Sequence, residues 1–202
     1  MMSEVNSKEN PFSTHRVRPG AISFLFDGDH GAGRIIDRLR RHGWWGEITG
    51  PHGSGKSALL ATLCPALEQA GLETCPIELH DGQRRLPADF RAAAKMNPPA
   101  VLIVDGYEQL GRLSRFRLKR LCRRGKLGLL VAAHGHVGLP EVFRTTVTIE
   151  LVRRIVADLQ ADCRVHVTAE DVDARFSQHA GDVRELLFDL YDLYEARRRS
   201  VR

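Results

Sequence analysis

One short stretch constrains this chain more than any other. Residues 50–57 read Gly-Pro-His-Gly-Ser-Gly-Lys-Ser and fit the pattern G-x-x-x-x-G-K-[ST]. Glycines let the backbone turn so that consecutive N–H groups converge on an anion. A helix beginning where the turn ends adds the positive end of its dipole. Lys56 can reach the outer phosphates of a bound nucleotide, and Ser57 can ligate Mg2+. The apolar residues before Gly50 and the run Ser57-Ala-Leu-Leu-Ala-Thr-Leu after it supply the strand and helix that such a loop must join. Gly50, Pro51, His52, Gly53, Ser54, Gly55, Lys56, Ser57 and Ala58 are the candidate phosphate cradle.

A loop of this kind belongs in an α/β frame, and the rest of the chain reads that way. Short apolar runs at Glu47–Thr49, Thr74–Leu79, Ala100–Val104, Gly128–Ala133 and Thr146–Leu151 alternate with helical spacing at Lys56–Ala70, Pro87–Lys95 and Leu110–Arg124. A further helix or turn is expected within His136–Phe143. Five strands alternating with helices predict a parallel sheet in a three-layer α/β fold. An amphipathic helix is expected earlier, at Arg34–His42. Pro65 lacks a backbone donor and predicts a kink or break after Cys64. Beyond Leu151 the pattern is helical: Val152–Ala161, Ala169–Gln178 opened by a Thr168/Asp171 capping box, and Asp182–Arg198 with an apolar stripe through Val183, Leu186, Leu187, Leu190 and Tyr194. The expected organisation is a flexible N-terminal arm at 1–20, a nucleotide-binding α/β domain at 21–151, and a helical lid with a basic tail at 152–202.

Forty-five residues beyond Lys56 begins Val101-Leu-Ile-Val-Asp-Gly-Tyr-Glu108. Four apolar residues ending in Asp105 suit a strand whose carboxylate helps hold Mg2+ beside Ser57. With the phosphate loop, this run resembles the P-loop ATPases of the AAA+ and STAND (NACHT-like) group. AAA+ chains usually place two acids in a row after this strand. Here Gly106 follows Asp105 and the next acid is Glu108, an arrangement closer to the NACHT-like pattern. The resemblance covers Gly46 to Arg198 and implies strand order 5-1-4-3-2, with ATP and Mg2+ at the strand C-termini and a helical lid. It also implies roles for individual residues. A small residue at 106 leaves room for an attacking water that Glu108 polarises. His134, at the tip of the Leu127–Ala133 strand, takes the place of a γ-phosphate sensor. Gly181-Asp-Val-Arg184 resembles the sensor 2 motif, with Arg184 reading the nucleotide. Arg144 stands where a finger acting on a neighbouring subunit often lies. Trp44 and Trp45 are placed to stack on adenine or to pack under the sheet edge. The resemblance implies an Mg-dependent ATPase that couples nucleotide state to lid movement. Two alternatives stay open: a small-molecule or nucleotide kinase, since G-P-x-G-S-G-K-S also resembles those enzymes, and an ATP-binding switch that does not hydrolyse.

Charge narrows the question of partners. The 202 residues carry 30 Lys+Arg against 25 Asp+Glu, a net of +5. Eight of the basic residues lie in Gly111–Lys126 with no acid among them, and four more are Arg197, Arg198, Arg199 and Arg202. Setting those aside leaves 18 basic residues against 25 acidic, a net of −7. The basic character is therefore local, and the Arg112–Lys126 helix is a candidate face for nucleic acid or an acidic protein partner. Self-association is also expected of this group. Cys64, Cys75, Cys122 and Cys163 show no C-x-x-C spacing, which fits a reducing cytoplasm. No apolar run approaches the length of a membrane span, and the N-terminus lacks the apolar core of a secretory signal.

Overall fold

The computed structural model of the chain describes residues 9–17, 22, 24–26, 31–80, 82–87, 90, 95–163, 166–179 and 181–200. Its sheet has five strands: β1 (Trp45–Thr49), β2 (Glu73–Glu78), β3 (Ala100–Asp105), β4 (Gly128–Ala133) and β5 (Glu141–Arg144). All pairings are parallel, in the order β2-β3-β4-β1-β5, the order implied by the family resemblance read from its other end. The described helices are α1 (Thr14–Val17), α2 (Ala32–Arg41), α3 (Lys56–Gln69), α4 (Arg112–Gly125), α5 (Ile149–Leu159), α6 (Ala169–Gln178) and α7 (Val183–Ser200).

β4, and β3 as far as Val104, are apolar because helices cover both of their faces. Side chains alternate across a strand, so β3 and β4 feed two separate cores. Val101, Ile103, Leu130 and Ala132 pack with Ile35, Ile36 and Leu39 of α2 and with Leu59, Leu63 and Leu67 of α3. Leu102, Val104, Leu129 and Val131 face the other way and pack with Leu118 and Cys122 of α4.

The last strand is displaced from its expected place. Thr146–Leu151 carries β-branched residues in alternation, but Thr148 accepts a hydrogen bond from Leu151 N (3.2 Å) and caps α5. Leu151, Val152 and Val156 then bury a helical stripe. The fifth strand lies earlier, at Glu141–Arg144, where a helix or turn was expected. It is short, buries only Val142, and its pairing with β1 shifts register between Glu47 and Ile48. A strand so short and half-exposed shows little hydrophobic pattern. The expected break after Cys64 does not occur: α3 runs through Pro65. Pro65 and Ala61, whose carbonyl loses its donor, are both exposed, so water can satisfy that carbonyl. The helix expected at Pro87–Lys95 falls mostly outside the described residues.

The chain forms two compact units, each described by itself. One is the sheet with α2, α3 and α4. The other takes in the N-terminal segment, the loop tip His52–Gly55 and everything from Thr146 onward. Its core joins Phe12 to Val152, Val156, Val172, Leu186, Leu190 and Tyr194. The expectation of a flexible arm does not hold for the described residues 9–17. Phe12 is fully buried, edge-on to Tyr194 at 6.1 Å between ring centroids. Asn10 holds it there: its Oδ1 accepts from Phe12 N (2.9 Å), and its Nδ2 donates to Tyr191 O (3.0 Å) and Glu195 Oε1 (3.1 Å). Residues 1–8 and 18–20 lie outside the described part. The α6 capping box forms as expected from Thr168 and Asp171. No described helix is long and apolar enough to cross a membrane.

Removing a buried phenyl ring leaves a cavity that its neighbours fill only in part. Phe12→Ala is expected to cost about 3–5 kcal/mol, read as a lower urea midpoint at unchanged m-value.

Candidate nucleotide-binding site

Parallel pairing gathers the candidate residues at one edge of the sheet. β1 and β4 are in register to their ends, Thr49 beside Ala133, and β4 pairs with β3 so that Val131 lies beside Val104. The chain therefore leaves β1 into the phosphate loop, β4 into His134, and β3 through Asp105 at the same carboxyl edge. Ligands of parallel α/β sheets bind at this edge.

The loop runs from Gly50 to the first turn of α3, which begins at Lys56 and takes in Ser57 and Ala58. Lys56 is buried and folds back on its own loop. Its Nζ donates to Gly50 O (2.9 Å) and Pro51 O (2.6 Å). At the base of the loop the Thr49 hydroxyl donates to Glu141. Arg144 donates to the same carboxylate through Nη2 (2.9 Å). These two partners hold the Glu141 carboxyl below the usual carboxylate range. Arg144 is thus the last residue of β5, paired with an acid on its own strand.

Asp105 ends β3, and the turn after it is braced from beneath. Gly106 has φ +72°, and a Cβ there would stand 2.7 Å from Leu79 O. Its lack of a side chain is thus accounted for by a left-handed backbone and a close approach of the chain after β2. Glu108 sits in the following turn and turns one oxygen to His134, with Oε1 3.4 Å from Nε2. Its Oε2 is buried with no hydrogen-bond partner among the described residues. Such an acceptor fits a water or a hydrated cation, groups that bring their own donors. Ser57 and Asp105 offer the hard oxygen ligands that Mg2+ prefers.

Arg115, Tyr107 and Glu47, outside the sequence-derived set, shape this edge. Arg115, in the first turn of α4, donates Nε to Leu110 O (2.8 Å) and Nη2 to Glu108 O (2.7 Å), and lies 5.1 Å above the Tyr107 ring. It clamps the turn that carries Glu108. Tyr107 is fully buried, and burial pushes its hydroxyl up to about 12, although Arg115 pulls the other way. Glu47 is a fully buried carboxylate inside β1. It accepts from Val137 N (3.1 Å) and Leu139 N (2.9 Å), and its Oε1 is 2.5 Å from His136 Nδ1. The segment that leaves His134 is thus tied to the strand that leads into the phosphate loop. The signal for Glu47 was an acid in the middle of an apolar strand; Arg115 had no signal apart from its basic neighbours.

The helical unit has a brace of its own in Asp182. Its Oδ1 accepts from Arg184 N (3.0 Å) and Glu185 N (3.3 Å), capping α7, and its Oδ2 lies 2.7 Å from His52 Nδ1. The loop tip is shaped to it: a Cβ on Gly53 would fall 1.9 Å from Asp182 Oδ1. Arg184 occupies the exposed first turn of α7. Trp44 packs in the α2/α3 core with Arg40 5.4 Å from its ring, and Trp45 packs in the α4 core with Arg123 5.5 Å away.

With this geometry in place, comparison with solved structures is informative. AMPPCP-bound DnaA from Aquifex aeolicus superposes with a TM-score of 0.54 at 15% identity, over 87% of this chain and 63% of that one. The chain shares the P-loop NTPase fold of that structure. DnaA bound to AMPPCP and single-stranded DNA matches with a TM-score of 0.57 at 14% identity, over 85% of this chain and 62% of that one. A Thermotoga maritima RuvB variant matches with a TM-score of 0.56 at 14% identity, over 80% and 61%. The chain thus spans about three-fifths of the length of each of these proteins. No family model matches it, and no curated protein matches its sequence.

Two braces generate predictions. Glu47→Ala leaves the buried Leu139 N–H and the part-buried Val137 N–H without their acceptor and is expected to cost about 3 kcal/mol, read by urea denaturation. For Asp182, burial opposes ionisation, but the bonds from His52 and the two α7 N–H groups outweigh it and lower the carboxyl from its ordinary 3.8. A lowered carboxyl stabilises the fold above that ordinary value, and the contribution is lost as pH falls below it. Asp182→Asn is expected to flatten this acid limb in a series of urea melts from neutral to acid pH.

Proposed function

We propose that this protein binds Mg-ATP at the phosphate loop and hydrolyses it, using nucleotide state to control engagement of a partner. The observation that carries the reading is the juxtaposition at the carboxyl edge: a buried lysine folded on its own glycine-rich loop, Asp105, and the Glu108–His134 pair. In this reading Lys56 exchanges the carbonyls of Gly50 and Pro51 for phosphate oxygens. The N–H groups between Gly53 and Ser57 hold the phosphates, and the start of α3 adds its dipole. Ser57 and Asp105 would hold Mg2+, which would supply charge neutralisation of the phosphates. Glu108 accepts a hydrogen bond from the attacking water and takes its proton. His134 orients Glu108 from the other side. Arg115 and Tyr107 are positioning residues that keep the Glu108 turn in place.

We further read the spacing Asp105-Gly-x-Glu108 as placing the chain nearer the STAND (NACHT-like) pattern than the paired-acid AAA+ pattern. Arg184, by its likeness to sensor 2, reads the nucleotide and passes its state to α7. Movement of the helical unit is then the output.

The test separates binding from chemistry. Lys56→Ala is expected to weaken Mg-ATP binding about 10- to 100-fold, the value of a charged hydrogen bond or two, by titration with a fluorescent ATP analogue. Glu108→Gln is expected to retain binding and to slow single-turnover phosphate release about 100- to 10,000-fold. Undiminished affinity in the lysine variant overturns the site. A rate near zero in the wild type, unchanged in Glu108→Gln, replaces the ATPase with a binding switch. Efficient phosphate transfer to added nucleosides makes it a kinase.

A further inference from the structure

Helix α4 packs against the sheet through Leu118 and Cys122 and presents the opposite face to solvent. Two rows run along that face at helical spacing: Arg112, Phe116, Arg120 and Arg123, and Leu113, Arg117, Arg120 and Arg124. Every one of these residues is exposed, with Leu113 and Phe116 each 61% so. Among the described residues, none of the eight cations of Arg112–Lys126 takes part in an ion pair. The other basic cluster differs. In the tail, Arg197 donates to Asp171 through both terminal nitrogens (2.6 and 2.9 Å) and to His166 O (3.0 Å), and Arg198 lies 3.5 Å from Glu195. That tail is partly neutralised by its own unit, whereas α4 is not. Lys119, beside the face, is lowered from its ordinary value by burial and by the positive charges of Arg123 and Arg115.

We propose that the outward face of α4 binds single-stranded nucleic acid. At a rise of 1.5 Å per residue the two rows span about 17 Å, a stripe of arginines interrupted by Leu113 and Phe116 and carrying no acid. A polymer of evenly spaced monoanions matches such a stripe along its whole length. Guanidinium groups dominate it, and their planar fork suits phosphate oxygens. The two apolar side chains decide the form of the nucleic acid. A duplex would press Leu113 and Phe116 against its phosphates. A single strand turns base faces outward, so that the Phe116 ring stacks on a base while Arg112, Arg117 and Arg120 hold the flanking phosphates.

The proposal uses no property of the nucleotide site, so the assay omits ATP and its failure leaves the phosphate-loop reading standing. Fluorescence anisotropy of the full chain with a labelled oligothymidine of about 20 nucleotides is expected to show binding that weakens steeply with salt. Phe116→Ala is expected to weaken it about 5- to 150-fold and Phe116→Trp to preserve it. Arg117→Gln with Arg120→Gln is expected to lower the salt slope by about 1.4. These positions are exposed, and circular dichroism confirms that the variants fold. Absence of binding at low salt, an unchanged affinity in Phe116→Ala, or equal affinity for the matching duplex overturns the proposal. Equal affinity for polyglutamate overturns it in favour of an acidic protein partner.

Discussion

Parallel pairing of β1 with β4 and of β4 with β3 is the constraint on which the rest of the sheet unit depends. Strands that run the same way deliver their carboxyl ends to one edge, and each chain segment leaving there starts from a fixed place. That is how a glycine-rich loop, a histidine and two acids that lie far apart in the chain come to share an edge. Parallel strands need crossovers, and the crossover helices cover both faces. The same pairing therefore explains why β4, and β3 as far as Val104, are apolar and why two cores form instead of one.

Backbone placement alone does not aim a side chain, and the aim here comes from a small number of buried polar braces. Glu47 would be costly inside an apolar strand were it unpaired. It is matched by two N–H groups and an imidazole, and so ties the segment after β4 to β1. Arg115 does the corresponding work for the turn after β3, with two carbonyls and an aromatic face as its partners. Gly106 lets that turn fold back over the chain leaving β2. In the helical unit, Asp182 serves at once as helix cap and as partner of His52. Through these bonds the braces set where Glu108, His134 and the loop tip stand.

The elements legible in the sequence were those whose signal is local. The phosphate loop, the Thr168/Asp171 capping box and the apolar runs of β3 and β4 each carry their pattern within a few residues. Misreadings arose where local pattern and tertiary context disagree. Thr146–Leu151 has strand-like alternation, but Thr148 as a cap and the burial of Val152 and Val156 turn it into the start of a helix. β5 has almost no pattern, because an edge strand of this length buries one side chain. Phe12 looked like part of a polar arm, because nothing near it in the chain announces the pocket formed with Tyr194.

The sequence by itself determined that the chain carries a glycine-rich loop of the pattern G-x-x-x-x-G-K-[ST] in an α/β frame, that an acid ends the strand of Val101–Val104, and that its positive charge is concentrated in one helix and the tail. Steric and electrostatic requirements over a few neighbouring residues are enough for each of these. Only the tertiary structure decided that Glu108 faces His134 with its other oxygen buried, that Glu47 and Arg115 are the braces, and that the tail arginines are partly neutralised while those of α4 are not. These depend on which groups meet across long stretches of chain, and burial and hydrogen bonding, unlike composition, exist only once the chain has folded.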